Sequence, residues 1–598
     1  MARTQPGRIE GRETTDGAVS RVSRRAFLKA GGAGALGTGA AAASVVFQES
    51  TAYAQRRWDR EADVVVVGSG AAASSAALFA HEAKASVVIL EKASVYGGTT
   101  AKSGGIFWIP NNNLMREKGL TDDRTDLLRY LARISYPTLY SPKDGVRFGM
   151  PEDIHQLHGA FYDHGAETVD ALRGMGLKYR PWLSWNNEPM PDYYAQLPED
   201  KAPIWRGLQP APVGNLTGGA SLIRQLKDFV DQRKIPVLLD HRVARLVLNT
   251  NGEVIGLEAT TDENRTVTVR ARKGVIFGTG GFTSNAEMSL NYLRGPIFGG
   301  CTVPTGEGDL VHIAGSVGAK LGNMNNAWWW PVIVEQALQF RSVPTGVGQT
   351  PGDSVVMVNA SGRRCVNEKI QYNERTQAHF VWDPVRGRYP NLIMFMVYDE
   401  SCRKRFGAAS GVIVRPGLNA PYVMSAPTLE ALATVIDNRL AQIVDKTGNY
   451  RLEADFTANL KDTITRFNQF ATTGKDLEFH RGEAPIELAF HGDPRGNTRP
   501  NVTMEPLSAT GPYYAVMLGG GTLDTKGGPK INANAQILDE NEKPIPGLYG
   551  AGNCIASPAG QAYWAGGATI GSALTFGALA AKHAARAPVR ETISTASR

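Results

Sequence analysis

Residues 63–105 read DVVVVGSGAAASSAALFAHEAKASVVILEKASVYGGTTAKSGG, and this stretch decides the fold of the chain. It begins with Val64 to Val67, an apolar β-branched run that is too short for a helix and is typical of a strand buried on both faces. The next residues, Gly68, Gly70 and Ala73, have the spacing G-x-G-x-x-A. This spacing allows a tight turn and a close approach of the backbone to a pyrophosphate.

A helix and a second strand complete the unit. Ser74 to Phe79 is small and apolar enough to predict a helix that lies against a sheet, and the N-terminus of such a helix favours a bound phosphate. Val87 to Leu90 predicts the second strand, and Glu91 follows it about 20 residues past the turn, where a carboxylate can accept ribose hydroxyls. The four features in register predict a dinucleotide site rather than an ordinary glycine turn.

A second cluster of glycines and hydroxyls follows Glu91. It could place backbone amides and short donors against a flavin ring and its phosphates, which favours a flavin over a nicotinamide. Its members are Gly97, Gly98, Thr99, Thr100, Ser103, Gly104 and Gly105.

The rest of the chain suggests a discontinuous domain. Four runs predict a strand meander, at residues 235–240, 243–248, 254–259 and 266–271, and residues 274–281 then predict a return to the dinucleotide domain. Near residue 505 the chain is expected to re-enter that domain, and it ends with a small-residue helix that opens at Gly567. The positive end of that helix would face the flavin pyrimidine.

This arrangement resembles flavoproteins with the two-dinucleotide-binding fold. The resemblance implies an α/β protein with a discontinuous, Rossmann-like FAD domain and an inserted α+β catalytic domain. We expect residues 55–300 and 506–598 to form the FAD domain and residues 301–505 the inserted domain. Trp328, Trp329 and Trp330 fall in the insertion, where they are expected to form core or pocket wall.

The first 54 residues resemble a twin-arginine export signal. Ser23 to Lys29 reads SRRAFLK, a weakly hydrophobic run extends from Ala30 to Phe47, and Ala52 to Ala54 has a small-x-small cleavage pattern. This route carries folded proteins with inserted cofactors, so the mature chain is expected to start near Gln55 and to be periplasmic or membrane-associated. An uncleaved anchor remains an alternative.

Charge and cysteine usage exclude other classes. The net charge is +7, of which residues 1–54 carry +3, and the chain has neither a basic stripe nor zinc-ligand spacing, so we expect no nucleic-acid partner and no metal. The four cysteines are far apart and form no C-x-x-C pair. They are expected to be buried hydrophobic residues rather than ligands or disulfides.

Five segments carry a more specific resemblance, to the fumarate reductase/3-ketosteroid 1-dehydrogenase superfamily of FAD enzymes. Within it the whole mature chain is most similar to the 3-ketosteroid 1-dehydrogenases. The segments are EKASVYGGTTAKSGGIFWIP (91–110), PDYY (191–194), NEKIQY (367–372), DLEFHRGE (476–483) and GQAYWAGG (560–567).

The resemblance implies a mechanism and its residues. In the family a proton leaves the carbon next to a ring ketone and a hydride passes from the adjacent carbon to the flavin. The base would be Tyr372 with Tyr193 as its hydrogen-bond partner, and the ketone oxygen would bind the Tyr563 hydroxyl and the Gly567 amide. A tyrosine has a pKa near ~10, so its anion needs such a neighbour.

The expected cofactor is non-covalent FAD. A covalent link would need a histidine near Thr99 and Thr100, where the chain has none. The residues expected to hold FAD are Gly68, Ser69, Gly70, Ala72, Ala73, Glu91, Lys92, Gly98, Thr99, Thr100, Ser103, Gly104, Gly105, Val243, Gly280, Gly552, Asn553, Ala568 and Ile570.

The substrate is expected to be a small hydrophobic cyclic ketone, with a 3-ketosteroid as the leading candidate. Fumarate-type reductases hold a dicarboxylate with an arginine, but Gly560 to Gly567 has neither Arg nor His, which predicts a substrate without carboxylates. Trp564 and Ala565 replace the usual Pro-Gly of the steroid enzymes, and their bulk could narrow the pocket.

Three alternatives stay open. The first is desaturation of a smaller alicyclic ketone, which a narrow pocket would favour. The second is a fumarate- or urocanate-type flavin reductase of an activated double bond. The third is an exported flavoprotein that only carries electrons, although such a carrier has no use for a proton-abstracting site. Because export limits the available oxidants, the electron acceptor is expected to be a quinone or a redox protein.

Overall fold

The first strand, helix and second strand form where the sequence predicts them. The computed structural model describes residues 57–344, 346–407 and 411–591. In it β1 spans Arg60–Val67, α1 Ala71–Glu82 and β2 Val87–Leu90. The helix is longer than expected, because the small residues before Ser74 also pack into the core. The predicted signal in residues 1–54 lies outside the described residues and stays a prediction.

The remaining helices of the described part follow in chain order. They are α2 (Gly98–Lys102), α3 (Asn113–Glu117), α4 (Arg124–Ser135), α5 (Glu152–Gly174), α6 (Gly218–Gln232), α7 (Ala286–Tyr292), α8 (Asp309–Gly315), α9 (Val334–Gln339), α10 (Tyr372–Gln377), α11 (Glu400–Phe406), α12 (Leu429–Ala441), α13 (Phe456–Thr473), α14 (Pro485–His491) and α15 (Ala568–Arg586).

The remaining strands are mostly short. They are β3 (Phe107–Trp108), β4 (Tyr179–Pro181), β5 (Gly207–Pro210), β6 (Val237–Leu238), β7 (His241–Leu248), β8 (Val254–Thr261), β9 (Thr266–Phe277), β10 (Gly299–Gly300), β11 (Leu321–Gly322), β12 (Ala327–Trp329), β13 (Val332–Ile333), β14 (Val355–Val358), β15 (Ile393–Asp399), β16 (Met424–Ala426), β17 (Tyr513–Gly519), β18 (Gly521–Thr525), β19 (Gly528–Pro529), β20 (Gln536–Leu538) and β21 (Pro544–Gly550).

The largest sheet has the strand order β20-β21-β9-β1-β2-β6, with β8 beside β9 and β7 beside β8. Strands β21, β9, β1, β2 and β6 are parallel to one another, and Val66 lies opposite both Ile89 and Ile276. The carboxyl ends of these strands therefore meet at one edge of the sheet. In open α/β sheets this edge is where ligands bind.

Two details of the meander differ from the prediction. The last predicted meander strand and the return at residue 274 are one continuous strand, β9. Gly274 does not break it, because a Cβ at this position would lie 2.8 Å from the Tyr549 ring, so glycine permits close packing there. The first predicted strand is also not part of the meander, since β6 pairs in parallel with β2.

Helices α1 and α15 pack unusually closely beneath this sheet. A Cβ at Gly577 of α15 would lie 2.4 Å from the backbone oxygen of Ala72 in α1, so only glycine fits there. Ser75 also donates a hydrogen bond of 2.7 Å to the backbone oxygen of Leu574. The small-residue composition of both helices therefore fixes the position of the α15 N-terminus relative to the dinucleotide loop.

A second, antiparallel sheet has the order β13-β17-β15-β14, with β16 beside β17. Ile393, Phe395 and Val397 of β15 pack into one core cluster, while the intervening residues pack into another. The sheet is thus covered on both faces, which explains the unbroken apolar run in β15. Strand β17 belongs to it although it follows residue 505; the predicted domain boundaries themselves stay predictions.

None of the described helices is long and apolar enough to cross a membrane.

Candidate active site

A cavity of about 910 Å³, counted out to open solvent, lies at the carboxyl edge of the parallel sheet. The loops after β1, β2, β9 and β21 contribute to its wall, together with the N-terminal turn of α15. The sequence-predicted residues that line it are Gly68, Ser69, Gly70, Ala72, Glu91, Lys92, Gly98, Thr99, Thr100, Val243, Gly280, Gly552, Asn553 and Ile570.

Gly68 makes the sharp turn that opens the dinucleotide loop. Its φ is +102°, and a Cβ there would lie 2.5 Å from the backbone oxygen of Gly278. Both the backbone conformation and the space therefore require glycine. The turn brings the end of β1 against the end of β9 and leads into α1.

A short chain of hydrogen bonds ties the two glycine clusters to the acidic residue. The Ser69 hydroxyl donates to Glu91 Oε2 at 2.6 Å and accepts from the Gly97 amide at 2.8 Å. The amide of Ala93 donates to the other oxygen of Glu91 at 2.8 Å. Each carboxylate oxygen thus retains lone pairs that can accept ribose hydroxyls.

Two buried hydroxyl groups in the cavity wall fit a polar cofactor. Thr279 Oγ1 and Thr569 Oγ1 are buried and make no hydrogen bond of good geometry within the described part of the chain, although they approach the Cys554 thiol and the Tyr563 hydroxyl, respectively. Buried polar atoms are normally paired, so both hydroxyls suit the phosphate, ribityl or ring oxygens of a flavin nucleotide. Together with the Gly68 turn and Glu91, the residues present fit FAD.

Five of the expected FAD residues lie outside the cavity lining: Ala73, Ser103, Gly104, Gly105 and Ala568. Ala73 instead packs on Gly278, where a Cβ would lie 2.7 Å from its backbone nitrogen. A Cβ on Gly105 would lie 2.4 Å from the backbone of Gly218. These two positions serve close packing around the loops. The individual roles of the predicted residues stay predictions.

Several lining residues were missed, among them Asp524. Its buried carboxylate accepts from the Gly281 amide at 2.9 Å and from Asn553 Nδ2 at 3.0 Å, and burial raises its pKa. Asp309, also in the wall, pairs with Lys92 at 2.7 Å. Gly281 and Asp524, and likewise Lys92 and Asp309, are more than two hundred residues apart, so no local spacing could have indicated these two contacts.

The structure brings together the three predicted tyrosines from separate segments. Tyr193 and Tyr563 lie in loops, and Tyr372 begins α10. The Tyr193 hydroxyl is hydrogen-bonded to the Tyr372 oxygen at 2.5 Å. The ring centres of the three tyrosines are 5.3 to 5.7 Å apart. Aromatic pairs at these distances hold one another in place.

The tryptophan triplet supports two of these tyrosines. Trp328 packs 4.7 Å from Tyr563, and Trp330 packs 4.2 Å from Tyr372, measured between ring centres. Trp329 points away and packs on Phe380. Because side chains alternate along an extended strand, the triplet places one ring in the core and two in the wall of the site.

Burial keeps the three phenols protonated in the substrate-free protein. It raises the pKa of Tyr372 and of Tyr193 well above the ordinary value, and it raises that of Tyr563 less, because the Thr569 hydroxyl, the Tyr372 hydroxyl and the Gly567 amide act against the rise. A tyrosine anion here therefore needs a donated hydrogen bond to form.

Gly567 is held in a conformation that requires glycine. Its φ is +97°, and a Cβ would lie 2.8 Å from the backbone carbon of Ile106. The Trp108 amide donates to its oxygen at 3.0 Å. Gly567 directly precedes α15, so its amide lies at the positive end of that helix, beside the Tyr563 hydroxyl.

The loop that carries Tyr193 is anchored by a buried ion cluster. Arg206 pairs with Asp122 at 2.8 Å, Asp192 at 2.5 Å and Asp200 at 2.8 Å, and all four side chains are almost fully buried. Asp192 also accepts from Trp108 Nε1 at 2.6 Å. These contacts hold Asp192, the residue before Tyr193, between Arg206 and Trp108.

Trp564 does not narrow the site as the sequence suggested. Its indole packs against Phe161 at 5.3 Å and Trp108 at 6.0 Å, and its Nε1 donates to Ser135 Oγ at 2.8 Å. The Trp564 indole thus lies in the core beneath α4 and α5. Cys365, one of the four cysteines, contacts the sulfur of Met394, and burial raises its pKa to about 12.

Comparisons with known proteins identify the family of the chain and several of its relatives. The family model described as FAD binding domain matches residues 63–570. The chain is 32% identical to the 3-oxosteroid 1-dehydrogenase of Mycolicibacterium smegmatis, covering 87% of this chain and 97% of that protein. It is 30% identical to the 4-oxocyclohexanecarboxylate 2-dehydrogenase of Sinomonas cyclohexanicum, covering 87% and 92%.

A similar solved structure is the 3-ketosteroid Δ1-dehydrogenase of Sterolibacterium denitrificans in complex with 1,4-androstadiene-3,17-dione. It matches with a TM-score of 0.75 and 27% identity, over 88% of this chain and 99% of that one.

Proposed function

The chain belongs to the FAD binding domain family and is an FAD-dependent oxidoreductase acting on CH–CH groups, and we propose that it introduces a double bond next to the ketone of a 3-ketosteroid, as a 3-ketosteroid 1-dehydrogenase. The observation that carries this proposal is the meeting of Tyr193, Tyr372 and Tyr563 beside Gly567. Four positions scattered over 375 residues of the chain come together as the dehydrogenation requires.

The ketone oxygen would bind between the Tyr563 hydroxyl and the Gly567 amide. Both groups donate, and both can stabilise the negative charge that develops on this oxygen when the adjacent carbon loses a proton. Such a donor contributes about 3 kcal/mol to the transition state. The α15 N-terminus adds a positive potential at the same place.

Tyr372 would accept the proton from the carbon next to the ketone. Burial raises the pKa of Tyr372, and the neighbouring Tyr193 and Tyr563 hydroxyls raise it further. For Tyr372 to act as a base, Tyr193 would therefore have to donate its hydrogen bond to the phenolate oxygen, the direction in which the structure has this bond. Trp328 and Trp330 exclude water from this pair, so the interaction is stronger than it would be in solvent. Bound FAD supplies the acceptor for the hydride that leaves the neighbouring carbon.

A smaller cyclic ketone is the second candidate substrate. It is supported by the 30% identity to the Sinomonas cyclohexanicum enzyme, whose name gives a single-ring ketone as its substrate. A reductase of an activated double bond is less well supported, since Gly560 to Gly567 carries no arginine or histidine for a second carboxylate.

Anaerobic titration of the purified protein tests the proposal. 4-Androstene-3,17-dione is added to the FAD-loaded protein, and the loss of visible flavin absorbance is followed; cyclohexanone and 4-oxocyclohexanecarboxylate are titrated separately. Bleaching by the steroid is the expected result. Bleaching by a single-ring ketone alone would replace the substrate class but keep the chemistry, and no bleaching by any of them would contradict dehydrogenation.

We also propose the cellular setting that the N-terminal sequence suggests. The twin-arginine pattern in residues 1–54 supports export by the twin-arginine machinery to a periplasmic or membrane-associated location. An exported dehydrogenase must pass its electrons to a quinone or to a redox protein, because the cytoplasmic acceptors are out of reach. We also propose that residues 55–300 and 506–598 of the exported chain form the FAD domain and that residues 301–505 form the inserted catalytic domain.

A further inference from the structure

A second cavity, of about 790 Å³ counted out to open solvent, is lined by Phe490, whose ring packs on Tyr193 of the tyrosine cluster. Its wall contains apolar side chains from the 182–190 segment and polar groups from α14 and the segment before α10. Its lining residues include Trp182, Met190, Gln349, Lys369, Phe490 and His491.

This cavity shares a wall with the proposed site of dehydrogenation. The Phe490 ring centre lies 5.9 Å from that of Tyr193 and 6.0 Å from that of Trp182. Trp182 in turn covers Gly566, where a Cβ would lie 2.5 Å from its ring, one residue before the Gly567 amide. Phe490 and Trp182 therefore form the wall between this cavity and the tyrosine cluster, and a molecule whose ketone lies at Tyr563 would have to pass Phe490 to reach the cavity.

His491 is the polar group at the far side of Phe490. Its ring centre lies 6.0 Å from that of Phe490, and only 9% of the residue is exposed. Its Nε2 is buried and has no hydrogen-bond partner among the described residues. A buried ring nitrogen without a partner is unfavourable, so this atom is available to a ligand that enters the cavity.

The surroundings of His491 favour a ligand that accepts a hydrogen bond. Burial lowers the pKa of the imidazole well below its usual value, and Lys369, Arg375 and Arg481 lower it further. The ring is therefore neutral. The guanidinium groups of Arg375 and Arg481 give a positive potential at the ring, which the Glu368 carboxylate beside Arg481 and the Asp493 carboxylate in the cavity wall weaken. A carbonyl or carboxylate oxygen is attracted by such a potential, whereas an ammonium group is repelled.

We propose that His491 Nε2 donates a hydrogen bond to an acceptor oxygen at the end of the substrate opposite to the reacting ketone. The enzyme would thus select ring ketones that carry a carbonyl or carboxylate oxygen at this distant position. This inference rests on the proposed function, because it assumes that the reacting ketone binds at Tyr563 and Gly567.

Three steroids that differ only at carbon 17 test the inference. 4-Androstene-3,17-dione carries a ketone there, 3-oxo-4-androstene-17β-carboxylate carries a carboxylate, and 4-androsten-3-one carries no oxygen. The measured quantity is kcat/KM for each oxygenated steroid divided by kcat/KM for 4-androsten-3-one, with a dye as electron acceptor. The higher of the two ratios identifies the preferred oxygen.

His491→Phe removes the ring nitrogen and keeps an aromatic side chain, whereas His491→Gln keeps an N–H donor. In His491→Phe the higher of the two kcat/KM ratios is expected to fall about tenfold, which corresponds to the loss of roughly one hydrogen bond. The fall is expected to come mainly from a higher KM for the oxygenated steroid. In His491→Gln most of the ratio is expected to be retained. Flavin content and circular dichroism of both variants establish that the fold is intact.

Two results would overturn the inference. One is an unchanged ratio in His491→Phe, and the other is an equal loss with Gln and Phe, which would indicate packing rather than donation. If no steroid bleaches the flavin, the steroid assignment fails separately, and the same variants are compared with 4-oxocyclohexanecarboxylate and cyclohexanone. Absence of turnover with all five ketones would overturn both proposals.

Discussion

At the residue scale, the role of Tyr372 is the most direct to test. Tyr372→Phe keeps the ring that packs on Trp330 but removes the oxygen that would accept the substrate proton. We expect kcat to fall by a factor of about 10² to 10⁴, the usual contribution of a general base, with FAD still bound. Flavin content and dye-coupled turnover of the purified variant measure the two effects.

Tyr398→Phe is the matched control. Tyr398 is also fully buried, and its hydroxyl has no hydrogen-bond partner in the described part of the chain. It lies in β15, in the core of the antiparallel sheet, so the substitution removes an unpaired hydroxyl from the core. Turnover like that of the unmodified enzyme is expected. Full activity of Tyr372→Phe would contradict the assignment of the base.

Tyr563 and Gly567 test the stabilisation of the ketone oxygen. Tyr563→Phe removes one of the two donors, and we expect kcat to fall by about 10² to 10³. Gly567→Ala keeps the backbone amide, but its Cβ would lie 2.8 Å from the Ile106 backbone and so displace that amide. Lower activity is therefore expected for Tyr563→Phe/Gly567→Ala than for Tyr563→Phe alone. Single-turnover rates of flavin reduction under anaerobic conditions measure this step. A change in KM alone would show that Tyr563 only binds substrate.

How far the site could be predicted differs from residue to residue. The three tyrosines were predicted because each lies in a motif that resembles a known family. Trp328 and Trp330 were recognised only as possible wall, and Asp524 and His491 were missed. Their importance comes from contacts with segments that are distant in the chain, and such contacts leave no periodic or spacing signal.

At the scale of elements, the turn between β1 and α1 is expected to determine FAD binding. Gly68→Ala places a methyl group 2.5 Å from the Gly278 oxygen, so the loop must move away from β9. We expect the purified variant to lose most of its flavin, measured as the ratio of visible to ultraviolet absorbance.

Gly119→Ala separates this effect from backbone strain. Gly119 also has a positive φ, +70°, but no atom lies within 4 Å of an added Cβ. The left-handed conformation alone costs an alanine about 1 kcal/mol, which the control shares with Gly68→Ala. Full flavin content is expected for the control. Equal flavin loss in both variants would mean that strain, rather than the contact with Gly278, is responsible.

Helix α14, which carries His491, contains a carboxyl group that makes stability depend on pH. Glu487 accepts from Asn367 and from the Gly482 amide, and burial raises its pKa from 4.5 to about 7. Between these values the folded protein keeps a proton that the unfolded chain has released. The free energy of unfolding therefore falls as the pH rises through this range, by at most about 3 kcal/mol.

Glu487→Gln removes this dependence. The Tm difference between variant and unmodified protein is expected to shift in favour of the variant as the pH is raised from about 5 to about 8. Glu483→Gln, at an exposed position on the same segment, provides the control and is expected to show no such shift. A constant Tm difference for Glu487→Gln would contradict the raised pKa.

The elements themselves were predictable where local pattern and burial agree. The β1-α1-β2 unit follows from an apolar run, a glycine turn and small helical residues. Strand β9 was divided into two, because a glycine usually weakens a strand. Gly274 is tolerated since it lets the ring of Tyr549 approach, and a contact with a strand 275 residues away cannot be read from the local sequence.

At the scale of the whole molecule, discontinuity limits what the sequence shows. Strand β21 pairs with β9, and α15 packs on α1, although hundreds of residues separate the members of each pair. The resemblance to a flavoprotein family indicated this return of the chain, whereas residue patterns alone did not. Conversely, β17 lies after residue 505, where the chain was expected to return to the FAD domain, yet it pairs with β15 of the antiparallel sheet. This pairing could not be predicted, because apolar strands of both parts look alike in sequence.

The proposed export of the folded, FAD-loaded protein gives the last prediction. Arg24→Lys together with Arg25→Lys keeps the charge of the N-terminal segment but removes the arginine pair, so dehydrogenase activity should remain in the cytoplasmic fraction. Arg21→Lys, an equally conservative change outside the pair, should leave the activity in the periplasmic or membrane fraction. The retained enzyme should still turn over with a dye as electron acceptor, which would show that the substitutions leave the catalytic part of the chain intact. Equal export of both variants would contradict the proposed signal.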